Sequence, residues 1–327
     1  MSGKGGSGKS HLVGHVTSFI SELGGWNVYR AKFRRGAIHE SKDIVSELLN
    51  CVVMDIVAMK DSENQEDVEY SRAVSSAIKD VIDNGGLGVL SGFIPSISKL
   101  VDVDPERDAS CESEDSERPY REDDMNESYS RVSHLVSALV AIIAKERLIC
   151  LCFDDLQWAE SSTLNMLRQI IISVGKDESS RHRFLFLGMY RDDEINDGHP
   201  LADEINIFRD SSSVDLTVLE LSPLSKSDVM NMVMSETRLT RRHVKTLVDV
   251  VHKVTIGHAI FVTQLLQSLV RDSIISYSPS KHRFDWSDGV IESLSMGGDV
   301  ASVVVENLSS LQPGRCIALP RARTLSS

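Results

Sequence analysis

The first ten residues have the spacing of a phosphate-binding loop. Gly3 to Ser10 matches the pattern G-x-x-x-x-G-K-S, in which glycines let successive backbone N–H groups point at a phosphate. Lys9 is then placed to reach the β- and γ-phosphates of a nucleotide, and the Ser10 hydroxyl to ligate Mg²⁺. The alternative is a flexible Gly/Ser segment. The candidate nucleotide-binding residues are Gly3, Lys4, Gly5, Gly6, Ser7, Gly8, Lys9, Ser10 and His11.

Two carboxylates follow an apolar run further along the chain. Leu148–Phe153 is apolar throughout, as expected for a strand buried on both faces of a parallel sheet, and Asp154 and Asp155 come directly after it. This is the Walker B arrangement, in which we expect Asp154 to hold Mg²⁺ and Asp155 to orient or deprotonate the attacking water. Because aspartate is shorter than the glutamate of many ATPases, slow hydrolysis is expected. The alternative is a buried strand that ends at an acidic turn.

A basic residue ends the next predicted core strand. Arg191 follows Phe184–Tyr190, and ligands of parallel sheets bind outside the carboxyl ends of the strands. Arg191 is therefore a candidate sensor of the γ-phosphate, and an ion pair with Asp155, Asp192 or Asp193 is the alternative. The candidate catalytic residues are Lys9, Asp155 and Arg191, and the candidate metal ligands are Ser10 and Asp154.

Other polar residues give weaker signals. His11 and His15 are four residues apart on the helix that follows the loop, but no third ligand is evident and Leu12 stands where H-E-x-x-H has its glutamate. We expect packing or surface roles for both histidines. Trp158, next to the carboxylates, is expected to pack or cap rather than to stack on a base.

The composition is that of a globular protein of more than one domain. The chain has 327 residues and a formal net charge of −13, and Asp102–Glu127 alone contains 12 acidic and 3 basic residues. An acidic balance of this kind does not indicate a nucleic-acid-binding face. The five cysteines have no zinc spacing, which favours a reducing, cytoplasmic compartment. No secretory h-region and no membrane-spanning stretch is evident.

The pattern of hydrophobic residues predicts an α/β fold with a parallel sheet flanked by helices. Helical spacing follows the loop and recurs between apolar runs, which is typical of strands alternating with helices. The predicted strands are Trp26–Phe33, Leu148–Phe153, Phe184–Tyr190 and Val214–Leu219. A phosphate-binding loop should follow a buried strand. Only Met1 and Ser2 precede this one, so the first strand is expected to be missing.

The sequence also predicts several domains and segments. An acidic disordered insertion is expected within the nucleotide-binding core, and a helical segment is expected directly beyond Pro223. The predicted divisions are a core at 1–222 with its insertion at 102–127, a helical lid at 223–272, a hairpin with short helices at 273–312, and an unstructured tail at 313–327.

Three stretches resemble one family of P-loop ATPases. Phe153–Ala159 resembles the Asp-Asp-Leu-Gln-Trp signature of origin-recognition-complex-like AAA ATPase domains, which belong with the signal-transducing (STAND-type) P-loop ATPases. Leu187–Glu194 resembles the strand that ends in Tyr-Arg in that family. Thr255–Val262, followed by Leu265-Leu266, is similar to its lid motif.

The resemblance implies ATP–Mg²⁺ binding between an α/β core and a helical lid, with the nucleotide state switching a fused or interacting signalling domain of kinase or cyclase type. An oligomer and an arginine finger from a neighbouring subunit are left open. The chain departs from the family at Gly257-His258-Ala259, where Gly-Asn-Pro is usual. It departs again after Leu311-Gln312, where a basic tail replaces an apolar helix. We therefore expect both ends to be truncated.

Two other functions remain as alternatives. The run Lys4–Ser10 also fits K-G-G-x-G-K-S, the deviant loop of septum-positioning and chromosome-partitioning ATPases, in which Lys4 would reach across a dimer. The Asp-Thr-Pro-Pro-Gly expected in that class is replaced by Asp-Asp-Leu-Gln-Trp. The other alternative is a switch or scaffold that binds the nucleotide without hydrolysing it.

Overall fold

The computed structural model describes residues 1–36, 41–101, 122–196, 198–280 and 282–294. It contains two compact units. One comprises the described residues of Met1–Ser2 and Ser10–Glu220, and the other comprises Gly3–Lys9 and the described residues from Leu221 to Leu294. Most of the insertion predicted at 102–127, the end of the segment predicted at 273–312 and the tail predicted at 313–327 lie outside the described residues.

The first unit alternates helices and strands in the order expected from the sequence. Its strands are β1 (Trp26–Lys32), β2 (Leu148–Asp154) and β3 (Phe184–Gly188). Its helices are α1 (Lys9–Glu22), α2 (Ser41–Ala58), α3 (Gln65–Val81), α4 (Asn84–Phe93), α5 (Ile97–Val101), α6 (Glu122–Glu146), α7 (Ser161–Lys176), α8 (Glu178–Arg181) and α9 (Pro200–Asp210). Single 3-10 turns lie at Met59–Asp61, Leu156–Trp158 and Asp192–Glu194.

The three strands form one parallel sheet in the order β1-β2-β3. Trp26 pairs with Leu148 and Lys32 with Asp154, so the ends of β1 and β2 coincide. The interior residues of β2 are buried because helices cover both faces of the central strand. The predicted parallel α/β sheet is confirmed, and its carboxyl edge brings the ends of β1, β2 and β3 together.

Aromatic side chains connect the strands laterally within the core. The ring of Phe153 on β2 stacks on Phe33, which follows β1, at a centroid distance of 5.8 Å, and on Phe186 of β3 at 5.6 Å. Phe33 and Phe153 are fully buried. Phe153 directly precedes Asp154, so this stack fixes the point at which the carboxylates leave the sheet.

The prediction of a strand at Val214–Leu219 is wrong for the described structure. Residues 214–219 carry no assigned helix or strand, and only Glu220 forms an isolated parallel bridge, with Ser2. The alternation of apolar residues is correct for a strand, but a strand needs a hydrogen-bonded neighbour. In the sheet that the structure describes, the edge of β3 facing this segment pairs with no other strand.

Other differences concern helix boundaries. Helix α6 begins at Glu122, inside the stretch 102–127 that was predicted as a disordered insertion. Pro95 lies in the break between α4, which ends at Phe93, and α5, which begins at Ile97. Helix α9 was not predicted; Pro200 at its first turn and His199 as its N-cap start it.

The second unit contains helices and a short hairpin. Its elements are α10 (Lys226–Thr237), α11 (Arg241–Thr255), α12 (Ala259–Arg271), β4 (Ser276–Ser278), β5 (Arg283–Asp285) and α13 (Asp288–Leu294). Strands β4 and β5 pair antiparallel. Ser225 and Asp228 form a capping box at the start of α10, which explains why the helix begins there. The apolar faces of α10, α11 and α12 share one buried core.

Among the described helices, none is both long and apolar enough to cross a bilayer. Cys150 and Cys152 lie buried on β2 as free thiols. Burial raises the pKa of Cys150 to about 12 and that of Cys152 to about 11, so neither thiol is a ready nucleophile.

Candidate nucleotide-binding site

The phosphate-binding loop has a backbone that only glycine adopts easily. Gly3, Gly6 and Gly8 have φ angles of +147°, +78° and +97°. A Cβ atom on Gly3 would lie 2.9 Å from both the Ser7 hydroxyl and the Leu221 carbonyl oxygen, and one on Gly6 would lie 2.5 Å from Ile260 Cγ2. Side chains at these positions would fill the space into which the loop turns. The loop therefore fits the close backbone approach that a bound phosphate requires.

Lys9 is held within the loop that precedes it. Its side chain is buried, and Nζ donates hydrogen bonds to the carbonyl oxygens of Gly3 at 2.5 Å and Lys4 at 3.0 Å. The backbone N–H of Ser7 donates to the Lys4 carbonyl at 3.1 Å, which closes the turn. The ammonium group of Lys9 is therefore bound by two backbone carbonyl oxygens of the loop itself. Lys4 itself is exposed.

The helical motif of the second unit packs directly against this loop. The backbone N–H of Ile260, in the first turn of α12, donates to the Gly6 carbonyl at 3.2 Å, and Ala259 approaches Gly8. Gly257 has a φ of +74°, and a Cβ there would lie 2.1 Å from the Leu224 carbonyl oxygen. The glycine of the family's lid motif is therefore required by the backbone here.

The two other changes in that motif have a small effect on the backbone. Ala259 is the first residue of α12, a position that tolerates proline because its N–H needs no partner within the helix. Compared with proline, alanine at this position removes no hydrogen bond, and the backbone is only less rigid. His258 adopts the extended N-cap conformation, and its ring packs edge-on against Phe261.

In the first unit, Ser10 and Asp154 lie side by side. The Ser10 hydroxyl donates to Oδ2 of Asp154 at 2.9 Å, and Oδ1 of Asp154 accepts the backbone N–H of Asp155 at 2.9 Å. The second contact orients the carboxylate at the end of β2. A serine hydroxyl and a carboxylate held together are hard oxygen donors of the kind that Mg²⁺ prefers. These residues therefore fit the predicted metal site.

Sequence reasoning missed one charged member of this cluster. Lys32 ends β1, directly opposite Asp154 in the register, and its Nζ lies 3.2 Å from Asp154 Oδ2 and 2.8 Å from Asp155 Oδ2. Partial burial alone would lower the pKa of Lys32, but the two carboxylates outweigh burial and raise it. The predicted parallel sheet was the available indication of this contact, because neighbouring parallel strands end at the same edge, which brings Lys32 close to Asp154.

Asp155 is buried and held from two sides. Lys32 pairs with Oδ2 of Asp155. The other carboxylate oxygen, Oδ1, accepts a hydrogen bond from the side-chain amide of Gln157 at 3.2 Å and lies 3.3 Å from Arg191 Nε. Burial alone would raise the pKa of Asp155, but the hydrogen bonds of Lys32 and Gln157 and the charge of Arg191 lower it. A carboxylate with a lowered pKa is a weak base. Asp155 also has a left-handed backbone, with φ +55°, where the chain leaves β2.

Arg191 is anchored by several contacts at once. Its guanidinium pairs with Asp155 and with Glu194 at 2.9 Å, and it lies over the ring of Trp158 at 4.9 Å. The indole N–H of Trp158 donates to Glu194 at 2.7 Å, so Trp158 packs and bonds within this cluster. The ion-pair alternative for Arg191 therefore describes its position here.

The histidine pair forms no metal centre in the described chain. Nε2 of His11 lies 3.1 Å from Nε2 of His15, and the rings meet edge to face on an exposed side of α1. Among the residues described, no group of three or more His, Cys, Asp or Glu side chains is arranged to hold a metal ion.

Comparison with known proteins agrees with these features. No curated protein and no solved structure gives a significant match. A protein-family model described as the AAA ATPase domain matches residues 1–181, which is more than half of the chain and includes the loop, Ser10, Asp154 and Asp155. The chain therefore belongs to the AAA ATPase domain family.

Proposed function

We propose that this chain binds ATP–Mg²⁺ through the Gly3–Ser10 motif and hydrolyses it slowly. Membership of the AAA ATPase domain family supports nucleotide binding. The observation that carries the proposal is the 2.9 Å hydrogen bond between the Ser10 hydroxyl and Asp154. It pairs the loop's serine with the carboxylate at the end of the neighbouring apolar strand, and both groups are suited to Mg²⁺. When bound, the ion would neutralise charge on the β- and γ-phosphates.

Slow turnover follows from the environment of Asp155. To accept a proton from water, Asp155 would have to act from within ion pairs with Lys32 and Arg191, which stabilise its charged form. A base matched to neutral pH needs a raised pKa, whereas this one is lowered. The same observation favours a second candidate function, a switch that binds ATP without hydrolysing it.

Nucleotide binding and phosphate release distinguish the two candidates. We expect a fluorescent ATP analogue to bind in the presence of Mg²⁺, and Lys9→Ala to weaken binding about 10- to 100-fold because it removes a charge-assisted contact. Asp154→Asn should weaken the dependence on Mg²⁺ and abolish steady-state phosphate release. Lys245→Ala, an exposed lysine on α11, and Asp249→Asn, an ion-paired carboxylate on the same helix, serve as controls.

The possible results of these binding and phosphate-release experiments lead to different conclusions. Phosphate release that is lost in both site variants supports the ATPase. Binding without release supports the non-hydrolysing switch. A folded wild-type chain that binds no adenine nucleotide refutes both. The deviant partitioning class is disfavoured because the family match is to the AAA ATPase domain.

We further propose that the nucleotide state acts on a fused or interacting signalling domain, of kinase or cyclase type, in the cytoplasm. The support for the partner is the resemblance of Phe153–Ala159, Leu187–Glu194 and Thr255–Val262 to signal-transducing ATPases, and the support for the compartment is the set of free cysteines. A switch should show different hydrogen exchange with ATP and with ADP. Identical exchange in both states would contradict it.

A further inference from the structure

The turn between α10 and α11 carries a dense set of exposed positive charges. Arg238 is the C-cap of α10, and Arg241 and Arg242 are the first two residues of α11. All three side chains are exposed. The chain as a whole has a formal net charge of −13, so this local excess of cations runs against its general balance. We call Arg238, Arg241 and Arg242 the arginine corner.

No carboxylate among the described residues neutralises the arginine corner. Its three side chains form neither an ion pair nor a hydrogen bond with any residue that the structure describes. The nearest acidic residues along the chain are Glu236 and Asp249, and Asp249 already pairs with Lys226 at 2.7 Å. Lys245, one turn further along α11, adds another exposed cation. The positive charge is therefore available to a partner.

Helix α11 is not stabilised by these charges. The N-terminus of a helix is the positive end of its dipole, so cations in the first turn are unfavourable there. This first turn contains no acidic residue, and the N-cap residue Thr240 makes no side-chain hydrogen bond to the helix backbone. Its hydroxyl bonds instead to Nδ1 of His243 at 2.8 Å. Carboxylates from a partner would offset this unfavourable accumulation of positive charge.

The backbone that carries the arginine corner is held by the core of the second unit. The N–H of Arg238 donates to the Met234 carbonyl at 2.8 Å, which closes the last turn of α10. Val244 and Leu247 of α11 are fully buried, and Leu239, between the arginines, packs against the same core. A partner would therefore meet charges whose backbone is already ordered, which lowers the entropic cost of binding.

We infer that the arginine corner binds a short acidic segment, rich in Asp and Glu, of a partner protein. A guanidinium group presents a planar set of donors that matches a carboxylate in a bidentate manner, so three arginines suit several carboxylates in sequence. Helix α11 extends for 15 residues from the corner to Thr255, which corresponds to roughly 20 Å. The surface is therefore separate from the phosphate-binding loop, and the inference goes beyond the proposed nucleotide function.

Two observations favour an acidic protein segment over nucleic acid or a membrane. The net charge of −13 repels a long polyanion as it approaches the chain. In addition, residues 236–250, all of which the structure describes, include none of the large exposed apolar or aromatic side chains. Base stacking and insertion into a lipid interface both need such side chains. A short run of carboxylates needs only the exposed arginines.

The test measures fluorescence anisotropy with the full chain and a fluorescein-labelled peptide, Glu-Asp-Glu-Asp-Glu-Asp-Glu-Asp. At about 50 mM NaCl we expect a Kd of about 10–100 µM that weakens as salt screens the charges. The Gln/Asn version of the peptide should not bind. Arg242→Glu should weaken binding about 10-fold, whereas Lys253→Glu, at an exposed lysine near the other end of α11, makes the same change in charge and should alter binding less than about twofold.

A second variant separates binding from stability. Arg241→Glu should also weaken binding about 10-fold, yet it should raise Tm by about 1–3 °C, because it places an acidic residue in the first turn of α11. If the arginine served only to stabilise the fold, Tm would fall. A wild-type chain that does not bind the acidic peptide, or equal weakening by Arg242→Glu and Lys253→Glu, would overturn the inference.

Two other partners are outcomes of the same assay. If an oligothymidylate of equal charge binds more tightly than the peptide and Arg242→Glu abolishes that binding, the partner is a nucleic acid. If vesicles of phosphatidylserine and phosphatidylcholine bind the wild type more tightly than the peptide does, but not Arg242→Glu, the partner is a membrane surface. Either result would overturn the assignment to an acidic protein segment. Neither result bears on nucleotide binding, which the Mg²⁺-dependent assay measures separately.

Discussion

Replacing Lys32 by methionine should tighten the binding of Mg²⁺ together with ATP. The ammonium group of Lys32 lies 3.2 Å from Asp154 Oδ2, the oxygen that also accepts the Ser10 hydroxyl. A metal ion on this carboxylate must therefore approach a positive charge that is already bound there. Methionine is one heavy atom shorter than lysine; it keeps most of the apolar contacts of the side chain and removes the charged ammonium group with its hydrogen bonds.

The expected magnitude follows from the distance and the exposure of Lys32. Mg²⁺ binds oxygen at about 2.1 Å, so an ion on Asp154 Oδ2 lies within about 5 Å of Nζ. Two unit charges 4 Å apart in water interact by about 1 kcal/mol, and the side chain of Lys32 is 58% exposed, which places the pair near that limit. For a divalent ion, after screening by salt, the repulsion is about 1–2 kcal/mol. This corresponds to a roughly 5- to 30-fold lower half-saturating Mg²⁺ concentration.

The assay is a titration of MgCl₂ at a fixed concentration of fluorescent ATP analogue and constant ionic strength. Lys32→Arg keeps the charge and should behave as the wild type. Lys145→Met is a matched control, because Lys145 pairs with Asp177 at 3.0 Å and is 48% exposed. If Lys32→Met folds normally but needs as much Mg²⁺ as the wild type, or more, competition at Asp154 is refuted.

Two further predictions concern backbone strain and pH. Gly257→Ala should lower the free energy of unfolding, measured by urea denaturation, by more than about 2 kcal/mol, because the φ of Gly257 is +74° and a Cβ would meet a backbone carbonyl oxygen. Gly92→Ala is the control: Gly92 lies in α4 with open space where a Cβ would lie, so this substitution should be neutral or slightly stabilising. The pairing of Lys32 with Asp155 should stabilise the fold over a defined pH range. Folding raises the pKa of Lys32 above its usual 10.5, so Lys32 stabilises the fold below pH 10.5, and this contribution is lost as the pH rises through the raised pKa. Folding lowers the pKa of Asp155 below its usual 3.8, so Asp155 stabilises the fold above pH 3.8, and this contribution is lost as the pH falls through the lowered pKa. The difference in unfolding free energy between wild type and Lys32→Met should stay level from about pH 5 to 9 and should shrink below about pH 4. A constant difference down to pH 2 would show that the pair does not act through charge.

A strand that is buried on both faces and a glycine-rich loop were both predictable from the sequence. Leu148–Phe153 is apolar at every position because helices cover both faces of β2, and this signal needs no tertiary information. The loop at Gly3–Ser10 was equally clear, since glycine spacing reports directly on the positive φ angles found there. Local chemistry determines such features, so local patterns reveal them.

Features that depend on a neighbouring element were not predictable in this way. Residues 214–219 have the alternation of a strand but lack a strand neighbour in the described sheet. Lys32 joins the carboxylate cluster only because β1 and β2 end in register, a contact across more than a hundred residues of chain. For Arg191 the sequence left two roles open, and its ion pair with Asp155 depends on how β2 and β3 pair in the sheet.

The left-handed backbone at Asp155 bears on the identity of that residue. Among residues with a side chain, aspartate and asparagine adopt this conformation most readily, because their short polar side chains bond locally. Glutamate is longer by one methylene group and adopts this conformation less readily. A glutamate at this position would therefore require more than one added methylene group. The turn after β2 would have to be redesigned together with the side chain, and an engineer who screens Asp155→Glu alone should expect lower stability before any gain in rate.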